Sequence, residues 1–174
     1  MSSLYPVGSV LPYAGQFTPT SEAALIAQGY LPCDGRQLGT GDPQYQPLQK
    51  VIGNAYGGTK TTFCVPDYRG IFMRGTDGGA GVDPNAATRT PPQPSLAIPG
   101  NSGDAVGSLQ PGGLQGHTHT YASAGGDYHI INYGGAETPG VYAENKTASA
   151  STSASGGAET RPRNASVNYV IAYL

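Results

Sequence analysis

The stretch Gly29-Tyr30-Leu31-Pro32-Cys33-Asp34-Gly35 decides the fold. It reads as a short buried segment between a glycine and a turn at Asp34-Gly35. Working outward from it, Thr61 to Val65 alternates enough to form a strand, ended by Pro66-Asp67. On the N-terminal side, Val7 to Tyr13 reads as a short strand anchored by Val7, Val10 and Leu11 and ended by Gly15. Ser21 is a fitting N-cap for a short helix over Glu22 to Gln28, closed by Gly29. Between the two strand-like stretches, Leu48, Val51, Ile52 and Ala55 recur at helical spacing. They predict a helix within Tyr45 to Tyr56, stopped by Gly57-Gly58. Residues 5 to about 75 therefore form an α+β unit of short helices and strands.

From Gly75 the character changes. Gly78-Gly79-Ala80-Gly81, Asp83-Pro84, Pro91-Pro92 and Pro99-Gly100 exclude long regular elements. Residues 121 to 158 are rich in Gly, Ala, Ser, Thr and Tyr, a composition too thin in apolar side chains to build its own core. Ser166 to Leu174 is the clearest strand of the chain, β-branched and apolar, and is expected to return to the first unit or to a neighbouring chain. The division predicted is 1–75 and 76–174.

Composition narrows the function. Among 174 residues there are 27 glycines and 15 prolines, and only 11% are charged, against about 25% in an ordinary soluble domain. Nine Lys and Arg, scattered over a chain of formal net charge −2, make no basic stripe for nucleic acid. No apolar run approaches the roughly 20 residues of a membrane-spanning helix. Met1-Ser2-Ser3-Leu4-Tyr5-Pro6 lacks the basic start and apolar core of a signal peptide, so synthesis in the cytoplasm is expected. Cys33 and Cys64 read as two reduced, buried thiols. Twelve tyrosines and no tryptophan suit a rigid binding surface. Catalytic frames are missing. Thr59 separates Gly58 from Lys60, which breaks the phosphate-loop pattern. No nucleophile elbow occurs, and no carboxylate pair has a recognisable frame. The chain is expected not to be an enzyme.

Gln115-Gly116-His117-Thr118-His119-Thr120 carries the chain's distinctive chemistry. In an extended backbone His117 and His119 fall on one side. Two imidazoles do not saturate a transition metal, whereas three chains around a three-fold axis supply an octahedral nitrogen set. The alternative is a pair of solvated imidazoles, since the classical zinc spacings are absent.

Val7-Gly-Ser-Val10, Ala14-Gly15, Gly29 to Gly35, Tyr45 with Leu48, Ile52-Gly53, Tyr56-Gly57-Gly58, Thr61 to Asp67 and Arg69-Gly70 together resemble the phage tail-collar domain. The family often has tryptophan where Tyr30 stands. Asp77 to Arg89, Val106 to Gln110 and His117-Thr-His119 look like the segment that follows the collar domain in tail-fibre tips and microcystin-dependent proteins. Glu159 to Asn164 with Val167-Asn-Tyr169 resembles their shared C-terminal ending.

The resemblance implies an α+β collar domain followed by a Gly/Ser-rich irregular β extension, intertwined in a homotrimer. It implies a fibre tip of a phage tail or of a contractile injection system, attached to a fibre or baseplate protein and located on the virion tail or an extracellular particle. It also implies His117 and His119 as ligands of one metal ion per trimer. Octahedral imidazole favours iron, with nickel, cobalt and zinc as alternatives. Receptor contact, with a cell-surface glycan or protein, falls to the stretch outside the family pattern: Tyr121, Tyr128, His129, Tyr133, Tyr142 and Asn145. Arg69, Arg74, Glu159, Arg161 and Arg163 are expected to tie the C-terminal segment to the collar unit. Two other readings stay open, a structural adaptor without receptor contact and a free, metal-free lectin.

Overall fold

The computed structural model describes residues 4–113, 128–131, 140–143 and 163–174. The chain divides into two compact units. One comprises Met1–Pro111 with Arg163–Leu174, the other Gly112–Pro162.

In the first unit, strand β1 spans Val10–Tyr13. It starts later than the apolar pattern suggests, because Gly8 takes φ 87° and Ser9 N–H donates to the Pro6 carbonyl (3.0 Å), which turns the chain first. Helix α1 spans Pro19–Ala27, with Thr18 rather than Ser21 as N-cap. Ser21 is instead the third helical residue of a capping box. Its N–H donates to Thr18 Oγ1 (3.2 Å) while its own Oγ accepts from Thr18 N–H (2.9 Å). Gly29, at φ 89°, ends the helix as expected and leads into β2, Tyr30–Pro32.

Strand β3, Gln37–Gly39, is too short and too polar to announce itself in sequence. Helix α2 covers only Gln46–Ile52, and Gly53, not Gly57-Gly58, is its cap. Strand β4, Thr62–Cys64, pairs antiparallel with β3. A single 3-10 turn follows at Ala86–Thr88. In the second unit, β5 (Tyr128–Ile131) and β6 (Gly140–Ala143) form an antiparallel pair.

The last strand, β7 (Asn168–Ala172), belongs to the first unit and lies between β1 and β2, antiparallel to both. A central strand must donate and accept on both edges, and its composition (Asn-Tyr-Val-Ile-Ala) contains no proline. Pro12 and Pro32 fall instead on the edge strands, where a missing N–H is tolerated.

Leu31, Cys33, Leu38, Leu48, Phe63, Val65, Ile171 and Tyr173 form one core, each at most 6% exposed. The two stretches that define the fold lie side by side. Asp34 bridges Asp67, Gly35 N–H donates to the Pro66 carbonyl, and Tyr68 N–H donates to the Cys33 carbonyl (3.1 Å each). Arg36 clamps this junction to α1. It grips Asp34 through Nε and Nη2 (2.9 and 2.6 Å) and Glu22 through Nη1 (2.6 Å).

Candidate functional site

The residues singled out for binding fall into two sets. His117, His119, Tyr121, Tyr133 and Asn145 lie outside the described residues. Tyr128, His129 and Tyr142 lie on the β5–β6 hairpin. Its register pairs His129 with Tyr142 and Tyr128 with Ala143. Because strand residues alternate between faces, His129 and Tyr142 belong to one face and Tyr128 to the other.

The first unit holds a polar network that sequence reading did not anticipate. Asp104 accepts from the backbone N–H groups of Asp77 and Gly78 (2.7 Å each). Asp77 in turn accepts from Gly81, Val82 and Asp83 N–H (2.8, 2.7 and 2.8 Å). Asp83 accepts from Asn85 N–H (3.0 Å) and from Arg89 Nη2, both Asp83 and Arg89 being buried. Three carboxylates thus satisfy successive turns of a glycine-rich loop that has no strand or helix to do so. The backbone donors, Asp83 N–H foremost, hold the Asp77 carboxyl below the usual carboxylate range, and the Arg89 guanidinium does the same for Asp83.

The arginines correct one expectation. Arg69 binds Asp67, through Nε (2.8 Å) and Nη2 (2.6 Å), and Arg74 reaches Asp83 (3.4 Å) and Gln110 (3.1 Å). Among the described residues, neither ties the C-terminal segment to the collar unit. That segment is held by backbone pairing with β1 and β2 and by uncharged side-chain hydrogen bonds from Asn168 Nδ2 to the Gly15 carbonyl (2.7 Å) and from the Tyr173 hydroxyl to the Ile26 carbonyl (2.8 Å). Arg163 is exposed, and Glu159 and Arg161 lie outside the described residues.

The region after residue 75 packs on the collar unit through the α2–β4 connection. Gly58 bridges Ile98, and Asn101 N–H donates to the Ala55 carbonyl (2.9 Å). Gly100 and Gly107 press on that carbonyl so closely that a β-carbon would stand 2.8 and 2.4 Å from its oxygen. Cys33 and Cys64 are free, buried thiols. Burial, helped by the charges of Asp34 and Asp67, pushes Cys33 up to about 12, which leaves it unreactive at neutral pH. Among the described residues no group of three or more His, Cys, Asp or Glu side chains could hold a metal ion. No helix among them is long and apolar enough to cross a membrane.

Residues 8–73, from the approach to β1 through β4 and on to Met73, match the phage tail collar domain. Along nearly its whole length the chain is also similar to Protein RhiB of Rhizobium leguminosarum bv. viciae. The two are 36% identical over an alignment 201 positions long, gaps included, which covers 97% of this chain and 86% of that protein.

Proposed function

Because the chain belongs to the phage tail collar domain family, we propose that this tail-fibre-like protein is a receptor-binding tip of a phage tail or a related contractile injection particle. It binds rather than catalyses. One observation carries the reading. The chain leaves the collar unit after Pro111 and re-enters it at Arg163, and the returning segment becomes the central strand of the main sheet. Residues 112–162 are thus an insertion anchored at both ends in a hydrogen-bonded scaffold. Such an arrangement lets the insertion vary for recognition while the scaffold's core stays constant.

Within the insertion, the His129–Tyr142 face of the hairpin is the contact for a cell-surface glycan or protein, with Tyr121, Tyr128, Tyr133 and Asn145 contributing. The assembly is a homotrimer joined to a fibre or baseplate protein. His117 and His119 supply two imidazoles per chain to a metal ion on its axis, iron by preference. That ion would link three chains through a segment with few apolar side chains, coupling its binding to assembly.

The test is adhesion of the purified protein to a panel of bacterial surfaces and to a glycan array. Replacing His129 and Tyr142 together by alanine is expected to reduce binding at least tenfold while the oligomeric mass stays unchanged. Undiminished binding by the double variant would reject the hairpin as the contact. Failure of the unaltered protein to bind any surface would favour an adaptor role.

A further inference from the structure

Strand β7 fills a gap one strand wide. Towards β2, the Tyr169 carbonyl accepts from Cys33 N–H (2.9 Å) and Tyr173 N–H donates to the Gly29 carbonyl (2.8 Å). Towards β1, Ala172 N–H donates to the Ser9 carbonyl and its own carbonyl accepts from Gly8 N–H (2.9 Å each). β1 and β2 do not pair with each other. Without β7 they are two edges facing across a slot. Val170, Ile171, Ala172 and Tyr173 are each at most 4% exposed in it, and Ile171 and Tyr173 pack in the core with Leu31, Leu48 and Phe63. A polar side chain fastens each end, Asn168 Nδ2 to the Gly15 carbonyl and the Tyr173 hydroxyl to the Ile26 carbonyl. The strand is thus held as a peptide ligand is held, by backbone bonds on both edges and by side chains in fixed seats.

All of these contacts are made by residues 168–173, and they are the same whichever chain supplies those residues. The strand is joined to the rest of its chain through residues 112–162, a separate unit. A hairpin loop of roughly 2–5 residues forces a strand onto the neighbour it has just left, whereas a connection of about 50 does not. Exchange between copies keeps every hydrogen bond and every buried side chain of each slot. It also turns part of a core into a chain–chain interface, which makes it a low-cost route to an oligomer.

We infer that in the assembled protein the β1–β2 slot takes residues 168–173 from a second copy, cyclically around the axis. This rests on the trimeric reading above and gives it a chain–chain contact independent of the histidines.

The experiment uses the full chain. Pro12 and Tyr169 are cross-strand partners, and Pro12 has no N–H to donate. They therefore form a non-hydrogen-bonded pair, whose Cα atoms approach to about 4.5 Å, within reach of a disulfide. Pro12→Cys and Tyr169→Cys chains are unfolded together, refolded and oxidised. The inference expects a disulfide-linked two-chain product on a denaturing gel, absent when either variant is refolded alone, with the linked peptides carrying positions 12 and 169. In the double variant it expects linked two- and three-chain products. As a second readout, a labelled peptide of residues 163–174, present while the unaltered chain refolds, is expected to be retained at least tenfold more than the same peptide carrying Ile171→Asp. A trimeric wild type whose double variant closes only within single chains would overturn the exchange and leave the trimer standing. So would the absence of any disulfide together with no retention of the peptide. A monomeric wild type would overturn both.

Discussion

The Tyr173 hydroxyl donates to the Ile26 carbonyl across 2.8 Å, joining residues 147 apart in sequence. The same carbonyl accepts from Gly29 N–H at the end of α1, and Tyr173 N–H donates to the Gly29 carbonyl. Tyr173 also lies against Tyr45 at a tilted 5.4 Å and is 2% exposed. The returning C-terminal strand is thereby fastened to the helix end that introduces the defining Gly29–Gly35 stretch. Replacing Tyr173 by phenylalanine keeps the ring packing and removes the donor. A loss of about 1 kcal/mol is expected from such a deletion, read as a lower urea midpoint at unchanged slope. Ile171→Ala, at 1% exposure, should cost more, about 2–5 kcal/mol. Equal midpoints for wild type and both variants would show that the strand is not part of the folded core.

Acid should loosen the loop of residues 77–83. The Asp77 and Asp83 carboxyls are held below their ordinary value, so the unfolded chain takes up protons before the folded one. Their contribution is complete above pH about 4 and is lost as pH falls through the lower folded values. Hydrogen exchange at the amides of Gly81, Val82 and Asp83, corrected for the pH dependence of intrinsic exchange, is expected to lose protection below pH about 4. Asp77→Asn should remove that acid step. Protection that stays constant down to pH about 2 would contradict the carboxylate caps.

The thiols give a third expectation. With burial raising both, and Cys33 at about 12, iodoacetamide at pH 8 should label neither in the folded protein within hours and both within minutes in guanidinium. Rapid native labelling of Cys33 would contradict its place in the core.

Gly107 tests the packing of the region after residue 75. It holds φ 96°, and a β-carbon there would stand 2.4 Å from the Ala55 oxygen. Gly107→Ala is expected to destabilise by more than about 1 kcal/mol and to open residues 98–107 to proteolysis. A variant as resistant as wild type would show that this region does not rest on the α2–β4 connection.

What the sequence disclosed follows from the reach of each interaction. The Gly29 turn, the Asp34-Gly35 turn and the apolar β7 are local signals of backbone conformation and hydropathy, and they are where the pattern places them. Helix ends shifted by a few residues because competing caps stand close together. Thr18 with Pro19 outranks Ser21, and Gly53 stops α2 before the pair at 57 and 58. Strand β3 and the hairpin strands, three or four residues each, are too short for periodicity to declare them. The partners of Arg74 and Arg89 depend on how a glycine-rich loop folds back, which no spacing rule encodes. For the candidate site, the predicted boundary at residue 75 is not where the units divide, because residues 76–111 belong to the first unit, and the register of Tyr128, His129 and Tyr142 is not legible in so short a pair of strands.

Native mass spectrometry of the full chain, before and after chelation, tests the proposed assembly most directly. The account predicts a three-chain mass carrying one excess transition-metal ion, with the metal lost and the trimer weakened on chelation and in His117→Ala. A single-chain, metal-free mass would contradict it.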